Sequence, residues 1–233
     1  MAVDPDLYVR FIGHAAFLLR SQDGTRVVID PWDNSEERTW FASPFPQTQC
    51  EILAMTHGHS DHVGEHRVTV VRETVRTPDT VEQGGIRVRA LADAHARGWG
   101  DNMLVVVEAG DTRFVHAGDN RAEVPDDLVE EIGAVDMLVV PVEDTRHLLE
   151  FEEVDRLIAA FRPGVVVPNH YKHPAISADT NVLGTCDEWL ATQKRVQRVE
   201  GEVALDRKAF PTETEVWVLD PMPTPSTGAV AGP

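Results

Sequence analysis

Cysteine is scarce in this chain of 233 residues. Cys50 and Cys186 are the only two, far apart and without a Cys-x-x-Cys partner. That excludes a disulfide-dense scaffold and a thiolate-built metal site, and a reduced, cytoplasmic chain is the simplest reading. Long apolar runs are missing too: no stretch approaches the ~18 residues of a membrane span. The start, Met1-Ala2-Val3-Asp4-Pro5-Asp6, lacks the basic and apolar regions of a signal peptide. Positive charge is short: 21 Lys and Arg stand against 39 Asp and Glu, a formal net charge of −18. Binding to nucleic-acid phosphates needs clustered Lys and Arg. Here the basic residues are scattered, with only a mild cluster at Lys194, Arg195 and Arg198. A local positive pocket for one small anion stays compatible with this balance.

The length fits one domain over residues 1–220. The Pro-, Gly-, Ser- and Ala-rich segment 221–233 is expected to be disordered. Apolar, β-branched runs predict strands over 7–13, 15–20, 26–30, 50–55, 68–75, 86–92, 103–109, 113–117, 135–142, 165–168, 198–204 and 214–219. Asp23-Gly24 and Gly110-Asp111 mark hairpin turns. Phe151, Val154, Leu157, Ile158 and Phe161 form a helical stripe stopped by Pro163-Gly164. Shorter helices are expected over 60–66, with Ser60 as N-cap, over 127–132, and near 186–196. Residues 32–50, with Trp32, Trp40, Phe41, Pro44, Phe45 and Pro46, read as a loop. It either walls a cavity or packs over the core.

The run Met55-Thr56-His57-Gly58-His59-Ser60-Asp61-His62 carries the chemistry. Four metal-ligand types fall within six residues. In an extended loop, side chains at i and i+2 point to one side, so His57 and His59 can share an ion. Where the chain turns helical, Asp61 and His62 can face a second ion about 3.5–4 Å away, the usual separation in two-metal hydrolytic sites. Three further ligand types end apolar runs downstream: His95 after Leu91-Ala92-Asp93-Ala94, Asp119 after His116-Ala117-Gly118, and His170 after Val167-Pro168-Asn169. Imidazole and carboxylate donors suit zinc, and also manganese or iron.

The order H-x-H-x-D-H, then His, then Gly-Asp, then Asn-His-Tyr resembles the metallo-β-lactamase superfamily. Phe11-Ile12-Gly13-His14-Ala15-Ala16-Phe17 and Val28-Ile29-Asp30-Pro31 are similar to the branch that includes L-ascorbate-6-phosphate lactonase and many uncharacterised metal-dependent hydrolases. The resemblance covers about residues 7 to 220. It implies an α/β fold, a four-layer αβ/βα sandwich of mixed sheets with external helices. It also implies that His57, His59 and His95 hold one divalent ion and Asp61, His62 and His170 a second, with Asp119 bridging; zinc leads and manganese is the alternative. His116 is the other candidate for the place of His95, though its strand position suits a supporting role better. Many relatives carry a longer helical segment after the histidine loop, whereas here Val68-Thr69-Val70-Val71 follows almost at once.

The implied chemistry is hydrolysis of a small lactone, other ester or phosphoester by hydroxide held between the ions, with Asp61 as proton acceptor. His14 is a candidate for substrate binding or for orienting Asp61, and a core histidine satisfied by backbone is the alternative. His147 is a candidate cavity residue or a solvated cap. Tyr171 and Lys172 are candidates for anchoring an anionic substrate group. Arg97, Trp99, Asp101 and Asn102 are candidates for a specificity loop, with Trp99 the substrate contact. The resemblance leaves a mononuclear iron dioxygenase and a non-catalytic metal-binding module as competing readings. Retention of His59, where flavin-linked di-iron relatives carry Glu, argues against that last branch. No nucleic-acid or membrane partner is expected, and a homo-oligomer is compatible with the resemblance.

Overall fold

The computed structural model describes residues 5–179, 182–207 and 210–222. The first strands are β1 (Leu7–Gly13), β2 (Ala16–Ser21), β3 (Arg26–Ile29), β4 (Thr48–Ala54) and β5 (Val68–Val75). Next come β6 (Asp79–Gln83), β7 (Ile86–Ala94), β8 (Asp101–Ala109), β9 (Thr112–His116) and β10 (Met137–Pro141), then β11 (Val165–Asn169), β12 (Val196–Val199), β13 (Val203–Leu205) and β14 (Glu215–Leu219). The α-helices are α1 (Asp126–Ile132), α2 (Phe151–Phe161) and α3 (Asp187–Leu190). The strands make two mixed sheets, ordered β13-β1-β2-β3-β4-β5 and β12-β14-β11-β10-β9-β8-β7-β6.

Period-2 alternation decides what lies between the sheets. Val27, Ile29, Ile52 and Ala54 join the large core shared with the eight-stranded sheet, whereas Val28, Cys50 and Leu53 face away. That outer face is covered by Trp32, Phe41 and Phe45 from the 32–47 segment. Trp32 stacks on Phe41 at 5.3 Å and meets Phe45 edge-on at 4.9 Å. The α/β sandwich is therefore present, and an aromatic loop supplies much of its layer over the smaller sheet. On the other side α2 buries Val154, Leu157 and Phe161. Its start is closed by a capping box between Glu150 and Glu153, and Arg162 ends it in the left-handed region.

Some expectations need correction. Residues 60–67 form two short 3-10 turns, Ser60–His62 and Glu65–Arg67, and His59 rather than Ser60 holds the first N-cap position. The strand expected over 198–204 is two strands in different sheets: β12 pairs with β14 and β13 with β1, with Gly201 turning between them at φ 82°. The helix near 186–196 is only α3, because residues from Val196 onward are drawn into pairing with Val216–Leu219. Strand β6 was not foreseen; its polar sequence shows little alternation. Of the segment 221–233, Pro221 and Met222 are placed, and the Met222 amide donates to the Phe11 carbonyl at 3.0 Å. The remainder lies outside the described residues.

Strands β9, β10 and β11 run parallel, so their C-terminal ends open at one edge. Asp119, His147 and His170 all follow those ends, where ligands bind in open α/β sheets.

Candidate metal centre

All seven expected ligands converge, and His14 joins them. The donor atoms fall into two groups, His14, Asp61, His62 and His170, and His57, His59, His95 and Asp119; within each group they lie within 4.8 Å of one another. The Asp119 carboxylate sits between them. Its Oδ2 is 3.5 Å from His95 Nε2, 3.6 Å from His170 Nε2 and 3.7 Å from His57 Nε2, and its Oδ1 is 3.5 Å from His62 Nε2.

The backbone is bent to achieve this. His14, Asp30 and His170 have φ of 51°, 47° and 64°, a conformation that side chains with a Cβ rarely adopt and that clusters at functional sites. Gly118, at φ 59°, turns the chain into Asp119, and a Cβ there would stand 2.5 Å from Asn102 Oδ1. The Asn102 side-chain oxygen accepts the Asp119 amide at 3.1 Å, and its amide group donates to the Ala117 carbonyl at 2.8 Å. Asn102 is thus a buried prop of the aspartate turn and not part of a specificity loop.

Hydrogen-bond partners fix several ring tautomers. His62 Nδ1 is 2.8 Å from Asp30 Oδ2, and His95 Nδ1 is 2.7 Å from the Ala96 carbonyl. Both acceptors are oxygens, so Nδ1 carries a proton in each ring and Nε2 is the nitrogen turned inward, the one free to bind a cation. His62 Nε2, His95 Nε2 and Asp119 Oδ1 are buried without a hydrogen-bond partner. Lone pairs facing lone pairs across the buried centre fit a cation, and imidazoles donating outward to carboxylate and carbonyl are the usual supports of metal ligands. His116 plays another part: its Nδ1 accepts the Gly118 amide at 2.9 Å, and its Nε2 donates to the Ala15 carbonyl at 2.8 Å. It braces the turn, and His95 takes the position against Asp119.

The electrostatics agree. Burial, helped by His62, pushes His57 down to about 3; burial with His170 does the same to His14. Burial also opposes charge on His62, yet Asp119, Asp30 and Asp61 together raise its pKa well above the ordinary value. Burial likewise works against ionised Asp61, but His62, His14 and His170 hold its pKa well below the carboxylate range. The centre is a focus of negative potential in which burial keeps His14 and His57 neutral, while the carboxylates around His62 favour its charged form, a proton that a bound cation would displace.

Asp30 is the residue that sequence reasoning did not assign. Besides His62 it accepts the Thr56 amide and hydroxyl, both at 2.7 Å. The Ile-Asp-Pro motif was visible, but its partner 32 residues away was not. Arg38 was missed entirely, and its Nη1 donates to Asp61 Oδ1 at 2.5 Å. His14 Nε2 stands 3.2 Å from Asp61 Oδ2, the orienting contact rather than a backbone-satisfied one.

A cavity of about 240 Å³ opens over the centre, lined by Arg38, Trp40, Trp99, His147, Leu148 and Val182 together with ligand residues. His147 is held by the buried Glu143 carboxylate, and burial with His170 lowers its pKa to about 4. Trp99 is half exposed and stacks on His147 at 6.4 Å. Tyr171 and Lys172 do not reach this cavity. They line a separate pocket with His173, Cys186 and Arg198, because the left-handed turn at His170 sends the next residues to the other side. Arg97 is turned toward the carbonyls of Arg146 and His147. His66 is an exposed neighbour of Asp33.

A model of the β-lactamase superfamily domain matches residues 8–170. A UPF0173 metal-dependent hydrolase of Thermus thermophilus is 29% identical over 222 residues, covering 83% of this chain and 93% of that protein. One from Hyperthermus butylicus is 26% identical over 227 residues, covering 84% and 98%. A crystal structure from Thermotoga maritima, a candidate zinc-dependent hydrolase of the metallo-β-lactamase superfamily, superposes with TM-score 0.73 at 25% identity, covering 93% of this chain and all of that one. Fold, buried His/Asp clusters and relatives agree: the chain belongs to the metallo-β-lactamase superfamily and is a metal-dependent hydrolase.

Proposed function

We propose that the chain hydrolyses a small lactone, other ester or phosphoester at a two-metal centre. The reading rests on one observation: the Asp119 carboxylate lies 3.5 to 3.7 Å from imidazole nitrogens of both ligand groups. His57, His59 and His95 would hold one ion, Asp61, His62 and His170 the other, and Asp119 both. The nitrogen and oxygen donors favour zinc, with manganese second. Bound ions supply hydroxide near neutral pH and polarise the oxygen of the scissile bond. Asp61, ionised and fixed by His14 and Arg38, accepts the proton of the attacking water. Trp40, Trp99, Leu148 and Val182 exclude bulk water from the substrate. His147, kept neutral by burial and His170, lines the cavity and would meet the leaving group there.

Two free, buried cysteines support a reducing, cytoplasmic setting, and among the described residues no helix is long and apolar enough to cross a membrane. The test is metal content of the purified protein read beside turnover of lactones, nitrophenyl phosphodiesters and β-lactams. About two zinc or manganese ions per chain, with activity in one ester class, is the expected result. One iron per chain without hydrolysis would overturn it.

A further inference from the structure

Among the described residues, the cavity over the metal centre has a single fixed cation. Of its lining residues, Arg38 is the one Lys or Arg, and the others are ligand imidazoles and carboxylates, His147, and the apolar walls Trp40, Trp99, Leu148 and Val182. Lys172, the other basic candidate, lines a different pocket. The position of Arg38 is built into the fold. The Ser35 amide donates to the Arg38 carbonyl at 2.8 Å, and the Arg38 amide donates to Ser35 Oγ at 3.1 Å. Asn34 clamps Phe41 through both backbone atoms, at 3.0 and 2.9 Å. The Asp33 amide donates to the Ser60 carbonyl at 2.9 Å, which ties this strap to the histidine loop. Outside the cavity the chain is strongly acidic, so an anionic ligand gains nothing from the overall field.

From this geometry we infer that Arg38 determines specificity by binding an oxyanion, carboxylate or phosphate, carried by the substrate away from its scissile bond. The inference rests on the hydrolase reading above. A guanidinium carries five N–H donors in a planar fork. The contact to Asp61 uses Nη1, which leaves donors for a second carboxylate or phosphate. The guanidinium carbon lies over the Trp40 ring, 5.0 Å from its centroid, a cation–π contact that helps to hold the group in place. The side chain retains 29% of its exposure, enough for a ligand to reach it. A cavity of about 240 Å³ is at the small end for ligand sites, so the substrate is a short acyl or phosphoryl compound with its anionic group a few bonds from the reacting carbon or phosphorus. Charge on the substrate also compensates the part of the guanidinium charge that Asp61 does not.

The competing role for Arg38 is to position Asp61 alone, and matched esters separate the two. Metal-loaded parent, Arg38→Met and Arg38→Lys proteins, with metal content measured for each, are given mono-4-nitrophenyl succinate and 4-nitrophenyl butyrate. The esters share a leaving group and chain length and differ in one carboxylate. Loss of Asp61 positioning lowers kcat for both equally. Loss of recognition raises KM for the succinate alone. The parent is expected to prefer the succinate, and Arg38→Met to lose that preference by about 10- to 100-fold, the range for hydrogen bonds to charged groups; Arg38→Lys retains part of it. Equal losses on the two esters, or no preference in the parent, would overturn the inference. Equilibrium binding of succinate and of inorganic phosphate, read by tryptophan fluorescence, is the second measurement. If the parent cleaves neither ester, the proposed bond class fails and binding decides for Arg38: at least about tenfold weaker binding of either anion by Arg38→Met supports it, and equal binding of both refutes it.

Discussion

The two halves of the metal centre are held in place differently. His57 and His95 are braced by their immediate neighbours, Thr56 Oγ1 at 3.1 Å and the Ala96 carbonyl at 2.7 Å. The other half is braced across the chain. His62 leans on Asp30, and Asp61 meets Arg38, His14 and His170, the last of these 109 residues away. The only partly buried ligand, His59, also belongs to the locally braced half, while the remaining ligands of both halves are buried. A half supported locally is set by a short sequence. A half supported by distant elements exists only when both sheets are complete, and its ion is held by the whole fold.

The sharpest way to break this contrast is to remove what the halves share. Asp119→Ala should release both ions and cut turnover by at least about 10³-fold, checked by metal analysis and kinetics. Loss of only one ion would show that the carboxylate serves one half. Asp30→Asn should act unequally, weakening the ion near His62 by about 10- to 100-fold and the ion near His95 less, since Asp30 reaches that half only through Thr56 and His57. Equal weakening of both would erase the distinction between the halves.

A smaller effect concerns pH in metal-free protein. His14 and His57 titrate near 3 when folded, so below about 6.5 the unfolded chain takes up protons first and stability falls as pH drops. His62 holds its proton above that value when folded and loses it when unfolded, so stability also falls as pH rises. The metal-free protein should therefore be most stable near pH 6.5 by thermal melting, and bound metal should remove the alkaline decline. A monotonic rise with pH in the metal-free form would contradict the charge state given to His62. The smallest effect is expected for Trp99→Ala. Its half-exposed ring should cost under about 0.5 kcal/mol of stability, while KM for a small ester rises on the order of tenfold through the lost wall.

The ligands of both halves were legible, and the braces of the distant half were not. His57, His59 and His95 declare themselves as ligand types at strand ends, and so do Asp61, His62, Asp119 and His170, because such residues seldom end apolar runs without purpose. Strand and hairpin periodicity placed most of the two sheets. What stayed hidden depends on contacts between distant segments. Nothing local marks Arg38 as a partner of Asp61, or Asp30 as the brace of His62. The sheet change at Gly201 was invisible because Val199 and Val203 look like one alternating run until each is claimed by a different neighbour. Tyr171 and Lys172 misled because adjacency to a ligand was read as proximity to the cavity, and the left-handed His170 backbone reverses that direction.

Pairing of β13 with β1 joins Leu205 to Leu7 and Val203 to Val9. During synthesis β1 leaves the ribosome well before β13, with most of the other strands between them. Until then one edge of β1 offers unpaired amides and carbonyls beside the apolar Val9 and Phe11, the kind of edge that recruits other strands. The nascent chain thus passes through a long interval in which its smaller sheet is open to wrong partners, and chaperone demand should fall when β13 emerges.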